Sequence, residues 1–194
     1  MHKALIGLKG FEHLEIGETE ALQACSVTAV LLALGSNYQA QKYLPIAREH
    51  LGALGQIKLS TAFQNPDFTA TVEHPKPDYT NQCVHLALTT PMSLQQLQQT
   101  FKQFEWECHR QRLIEQQMPI KKVTMDIDIL LVRLLIEKNS LSKNNESKWI
   151  VMKDRYPFKA HEAAGINELI AEESCKNGKA INTEEILSKI HIKK

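Results

Sequence analysis

The sequence predicts an α+β domain, with an antiparallel sheet packed by helices and further helices at the C-terminal end. Three observations predict it. Strand-like runs occur at residues 28–34, 57–63, 81–90 and 123–132. Two helical patterns fall after the first and third of these runs, so the order is β-α-β-β-α-β, the ferredoxin-like split arrangement. The 194 residues are enough to close a sizeable core within one domain.

The run TAVLLAL (28–34) is continuously apolar and ends in Gly35-Ser36-Asn37, which reads as a buried strand and a turn. Tyr43, Leu44, Ala47, Leu51 and Leu54 then recur near helical spacing, and Pro45 is expected to set the start of that helix. IKLSTAF (57–63) reads as a strand. The next segment, residues 64–80, carries Pro66, Pro75 and Pro77. A loop of that length in a compact domain is usually functional or mobile. NQCVHLALTT (81–90) returns as a strand, and His85 within it reads as a packed core histidine.

Ser93 and Gln96 form an S-x-x-Q capping box, with Met92 and Leu97 spaced as a hydrophobic staple. Leu94, Leu97, Phe101, Phe104 and Cys108 make the apolar stripe of a helix expected to reach Arg112. After the strand at 123–132, residues 137–148 are a polar loop and WIVM (149–152) a short strand. Residues 160–172 read as a helix, and Asn182 with Glu185 starts another.

Composition narrows the function classes. Net charge is +1, so nothing favours nucleic acid or an anionic membrane as a partner. The four cysteines form no C-x-x-C pair, which suits reduced thiols in the cytoplasm. No apolar run approaches the roughly 18 residues of a membrane span. The first 26 residues lack the apolar centre of a signal peptide.

The chemistry concentrates in VTMDIDILLVRLLI (123–136). Asp126 and Asp128 are two apart on a strand and so share a face with Leu130, opposite Ile127, Ile129 and Leu131. On the residues alone, two readings stand: acids on the solvated face of an edge strand, or a pair gathered around a cation. Hard carboxylate oxygens suit Mg²⁺, which completes its shell from phosphate and water. Two ions sharing such a pair could clamp a polyphosphate. Arg110 and Arg112 end the long helix, and Lys121 and Lys122 enter the acidic strand. They are either phosphate contacts or ordinary helix-end cations. Neither the P-loop nor the kinase glycine loop is present. Asn65, Pro66 and Phe68 in the long loop, with Tyr79 and Asn81 after it, could face a flat heterocycle or simply form turns.

LALGSN (32–37), FQNP (63–66), PDYTN (77–81), FEWECHRQR (104–112) and TMDIDILL (124–131) together resemble the 6-hydroxymethyl-7,8-dihydropterin pyrophosphokinase family. The resemblance spans about residues 28–172. It implies transfer of pyrophosphate from ATP to the pterin hydroxymethyl group, with release of AMP, in folate biosynthesis. It implies two Mg²⁺ ions held by Asp126 and Asp128. It places Asn65, Pro66, Phe68, Tyr79 and Asn81 around the pterin, with His161 at the position of a stacking phenylalanine. It assigns ATP to Lys102, Glu105, Arg110, Arg112, Lys122, Ile129, Lys153 and Lys159, with Arg110 and Arg112 joining the acid pair in catalysis. Residues 27–194 would be the pyrophosphokinase-like domain and 1–26 an N-terminal extension, in a monomer or weak dimer.

Departures from the family pattern bear on phosphate. Where the family writes Gly-Pro-Arg-Thr, this chain has Lys121-Lys122-Val123-Thr124, and a later Pro-His is Met152-Lys153. Lys159 stands where the family has a phosphate-contacting arginine. The alternative is a catalytically weak or silent homologue that binds a pterin or a protein partner. An RNA-binding module of the same fold would need an aromatic run and a basic face that this chain lacks.

Overall fold

The computed structural model of the protein describes residues 14–66, 70–71, 73, 76–115, 121–136 and 146–176. Strands β1 (Glu15–Gly17), β2 (Ser26–Ser36), β3 (Gly55–Asn65), β4 (Tyr79–Ser93), β5 (Asp126–Ile136) and β6 (Glu146–Met152) form one sheet. Their order is β1-β6-β5-β2-β4-β3. β1 runs parallel to β6, and the other four pairings are antiparallel. The helices are α1 (Thr19–Leu22), α2 (Ala40–Leu54), α3 (Leu94–Glu107), α4 (Arg112–Glu115) and α5 (Ala160–Lys176).

The unbroken apolar run of β2 follows from its central place. Val30, Leu32 and Leu34 pack into the cluster that holds Leu44, Leu51, Leu94 and Leu97 of α2 and α3. Leu31 and Ala33 pack on the opposite side with Ile166, Leu169 and Ile170 of α5. With both faces covered there is no face left to be polar. Leu22 of α1 joins the α2–α3 cluster, so residues from the expected N-terminal extension contribute to the core and to the sheet.

Several boundaries differ from expectation. α2 begins at Ala40, and Pro45 sits inside it. Burial of Ala40, Tyr43 and Leu44 outweighs the backbone bond that Pro45 cannot donate. Strands β3 and β4 run longer at both ends than the apolar patterns suggest, because pairing extends beyond the buried residues. The acidic strand starts at Asp126, three residues after the expected Val123. β6 takes in Glu146–Lys148 of the expected polar loop. The helix expected from Asn182 lies outside the described residues.

Leu131 also faces the other way. The β2–β5 register shifts between Leu31 and Leu32, which pair with Leu131 and Ile129. Leu130 is the extra residue of a bulge, so Leu130 and Leu131 both join the α5 cluster. Strict alternation therefore holds only as far as Leu130.

The capping box of α3 is formed: the Ser93 Oγ accepts from the Gln96 N–H at 3.2 Å, and Gln96 Oε1 accepts from the Ser93 N–H at 2.9 Å. The helix ends at Glu107 rather than Arg112. The His109 N–H donates to the Trp106 carbonyl at 2.8 Å and the Arg110 N–H to the Glu105 carbonyl at 2.9 Å, a Schellman closure. His109 takes the left-handed position, with φ 60°. Glycine is favoured there. His109→Gly is expected to stabilise the fold by roughly 0.5–1 kcal/mol, less any loss from its edge contact with Tyr43. A raised urea midpoint at unchanged slope would show it. A lowered midpoint would mean the ring contact matters more than the strain.

Among the described residues no helix is long and apolar enough to cross a membrane.

Candidate active site

Sheet register assembles the site at one end of the sheet. Gly35 of β2 pairs with Asn81 of β4 on one side and Asp126 of β5 on the other. Two residues along, Ala33 pairs with Cys83 and Asp128. Asn65 at the end of β3 pairs with Tyr79 at the start of β4. Strands far apart in sequence thus deliver two acids, two amides and a phenol ring to one end of the sheet. Gly35 makes room in the middle of the row, because a Cβ there would meet Asn81 Oδ1 at 3.1 Å.

Ser36 and Asn37 fix the approach to the acidic strand. Asn37 Oδ1 accepts the Val123 N–H at 2.6 Å, its Nδ2 donates to the Lys121 carbonyl at 2.9 Å, and the Ser36 Oγ donates to the Val123 carbonyl at 3.2 Å. The side chain of Val123 is buried at 1% exposure. An arginine could not simply be added at this position, since its charge would enter the core.

The acid pair is framed by cations and by one more acid. Arg110 donates to the Met125 carbonyl at 2.7 Å and to Asp126 Oδ1 at 3.1 Å, and forms an ion pair with Glu115. Arg112 reaches Asp126 Oδ1 at 3.2 Å and Glu105 Oε2 at 2.7 Å. Glu105 Oε1 accepts the Ile127 N–H at 2.9 Å, tying α3 to β5 between the two aspartates. Arg155 donates to Asp128 Oδ2.

These neighbours split the two carboxylates. Burial opposes charge on Asp126, but Arg110 and Arg112 beside it prevail and hold its carboxyl below the usual range. Burial and the Asp126 charge push the Asp128 carboxyl up to about 6, against the pull of Arg155. Glu105 is also raised, first by burial. Burial lowers His161, with Glu162 opposing.

Two cavities meet at the acid pair. The first, about 370 Å³, is lined by Gly35, Asn65, Pro66, Lys76, Tyr79, Asn81, Lys121, Asp126, Asp128, Lys159, His161 and Glu162, among others. The second, about 240 Å³, is lined by Gln98, Phe101, Lys102, Glu105, Arg112, Ile127, Asp128, Ile129, Met152, Asp154 and Arg155. Asp128 lines both.

The sequence of this molecule matches the family of 7,8-dihydro-6-hydroxymethylpterin-pyrophosphokinases over residues 31–149. The chain belongs to that family. No curated protein matches the chain. The family match takes in the acid pair and stops before Arg155, Lys159, His161 and Glu162, which line the same two cavities.

Of the residues expected to meet the pterin, Asn65, Pro66, Tyr79, Asn81 and His161 line the first cavity. Phe68 lies outside the described residues. Of those expected to meet ATP, Lys102, Glu105, Arg112 and Ile129 line the second cavity, while Lys159 lines the first. Arg110, Lys122 and Lys153 line neither. Arg110 is buried behind Asp126, Lys122 lies 5.0 Å from the Tyr38 ring centroid, and Lys153 pairs with Glu18. Sequence reasoning missed Arg155 and Glu162. A basic residue just past a short strand was the available signal for Arg155, and it is weak.

The donor set fits magnesium, the ion that pyrophosphokinases of this family use. Asp126 and Asp128 offer hard carboxylate oxygens on one face, and their mutual repulsion is what a divalent cation relieves. Among the described residues no cluster of three or more His, Cys, Asp or Glu forms a closed cage. Magnesium does not need one when phosphate and water complete its shell.

Proposed function

We propose that the chain transfers the pyrophosphoryl group of ATP to the hydroxymethyl oxygen of 6-hydroxymethyl-7,8-dihydropterin, releasing AMP, as a cytoplasmic enzyme of folate biosynthesis. The observation that carries this reading is the meeting of two chemically different cavities at Asp128. The first offers amides and a phenol ring, suited to a flat heterocycle with donors and acceptors along its edge. The second offers the guanidiniums of Arg112 and Arg155 beside Lys102, suited to a phosphate chain, whereas the cations of the first are the lysines Lys76, Lys121 and Lys159.

In this reading Asp126 and Asp128 hold two Mg²⁺ ions. Bound magnesium supplies charge neutralisation on the phosphates. Asn81 and Asn65 read the pterin edge while Tyr79 lies beside its face. Lys102 and Arg112 orient the triphosphate, and Glu105 keeps α3 and β5 in register around it. Holding the hydroxyl oxygen and the phosphorus in line is the main task, because such transfers depend on positioning and charge more than on covalent chemistry. The strand order β5-β2-β4-β3 supports a ferredoxin-like core. Residues 27–194 would be the pyrophosphokinase-like domain, with 1–26 as an extension that adds β1 and α1.

The test is AMP formation from ATP and the hydroxymethylpterin by the full chain with magnesium. Absence of AMP in the presence of both substrates would refute the reading. The second reading, a silent homologue that binds a pterin or a protein partner, draws on the buried Val123 in place of a phosphate-binding arginine. Wherever a pterin is bound, Asn81→Ala is expected to weaken binding of a pterin analogue by roughly 1–3 kcal/mol, the cost of an unpaired polar edge. Calorimetric titration measures it, and an unchanged dissociation constant would move the pterin elsewhere.

A further inference from the structure

We propose that Arg155 is a phosphate-binding residue of the second cavity, held on Asp128 while the site is empty and released to the triphosphate chain when a divalent cation takes that carboxylate. This deepens the pyrophosphokinase reading and rests on it. Arg155 closes a short 3₁₀ turn, Lys153–Arg155, directly after β6. Two side-chain contacts and one backbone bond hold this turn. Lys153 pairs with Glu18, the Thr19 Oγ1 donates to Asp154 Oδ1 at 3.0 Å, and the Tyr156 N–H donates to the Lys153 carbonyl at 3.3 Å. The N-terminal strand and helix thus fix the turn from which Arg155 projects.

The side chain itself is less committed. One guanidinium nitrogen, Nη2, bonds Asp128 Oδ2, and lies 3.6 Å from Glu162 Oε1. Its Nε is buried with no hydrogen-bond partner. Arg112, the other guanidinium lining this cavity, already spans two carboxylates, Glu105 and Asp126. Lys159 lines the other cavity and lies 3.8 Å from Glu162 Oε1. Beside Arg112, Arg155 is therefore a second guanidinium with a planar fork to offer once Asp128, its closest partner, is taken. A guanidinium and a divalent cation compete for the same carboxylate, and the freed fork matches phosphate oxygens two at a time.

The exchange makes two opposite demands on one side chain, and that supplies the test. Two titrations would be run on the full chain and on Arg155→Ala and Arg155→Lys. The first follows Mn²⁺ binding without nucleotide by electron paramagnetic resonance. The second follows a non-hydrolysable ATP analogue at saturating Mg²⁺. Arg155→Ala is expected to bind Mn²⁺ severalfold more tightly and the analogue at least about 10-fold more weakly, with Arg155→Lys intermediate for the analogue. A merely structural role would weaken both. Unchanged analogue binding in Arg155→Ala, or weakening of both ligands together in Arg155→Lys, overturns the proposal while the pyrophosphokinase reading stands. If the parent binds no analogue at millimolar Mg²⁺, both fall. Thermal unfolding reports whether Arg155→Ala folds, and Arg155→Lys carries the comparison if it does not.

Discussion

Asp128→Asn is expected to lower pyrophosphoryl transfer by about 10²–10³-fold while making the metal-free fold more stable. The loss of activity follows if the carboxylate holds magnesium against the phosphates, because most of the charge stabilisation goes with it. The gain in stability follows from the raised carboxyl of Asp128, at about 6. Between the unfolded value and that folded value, the native state binds the extra proton. Stability from this group is therefore greatest at low pH, falls as pH rises through about 6, and stays low at neutral pH. Replacing the charge with an amide removes about 1–2 kcal/mol of that penalty after allowance for solvent screening. The difference from the parent should be full above pH 6 and vanish near the unfolded carboxylate value. Asp126→Asn is expected to lose activity comparably, with the opposite sign in stability. The Asp126 carboxyl is held low by Arg110 and Arg112, so its charge stabilises the fold above the unfolded value and that contribution is lost as pH falls. Chemical denaturation from pH 4 to 8, with a chelator, separates the two variants. Equal shifts in both would mean that the two acids do not differ in environment, and full activity in both would exclude them as metal ligands.

Arg110→Ala is expected to cost about 3–5 kcal/mol of stability, a large share of what a domain of this size commands. Arg110 is 6% exposed and Glu115 7% exposed. Removing the guanidinium leaves Glu115 without its ion-pair partner and takes one of two cations from Asp126. It also frees the Met125 carbonyl that Arg110 bonds at 2.7 Å. The guanidinium lines neither cavity, so its first effect falls on the shape and charge of the acid pair rather than on a ligand. Urea denaturation of the parent and variant measures the cost. An unchanged midpoint with lost nucleotide binding would instead make Arg110 a direct ligand residue.

The fold was legible where side-chain periodicity reports burial directly. The capping box at Ser93 and Gln96 and the apolar run of β2 each depend on a few neighbouring residues. Boundaries were less legible because they depend on partners. Pro45 argued for a later start to α2, and only packing of Ala40 and Tyr43 against the sheet overrides it. The end of α3 at Glu107 depends on His109 adopting a conformation that its residue type disfavours. The face of Leu131 depends on a bulge that no local pattern marks.

The same division holds at the site. Sequence by itself determined the acid pair, because two aspartates two residues apart on a strand must share a face whatever surrounds them. It also determined the family, through short motifs whose order and spacing survive without knowledge of the fold. Only the tertiary structure decided which residues join those acids. Register between β2, β4 and β5 brings Asn81, Gly35 and Asp126 into one row. The turn after β6 delivers Arg155 to Asp128 across 27 positions of chain. It also decided which expected residues line neither cavity: Arg110 bonds Asp126 from behind, Lys122 lies on the Tyr38 ring and Lys153 on Glu18. Charge type can be read from a sequence, but the field that a charge feels is set by distance and burial, and those exist only once the chain has folded.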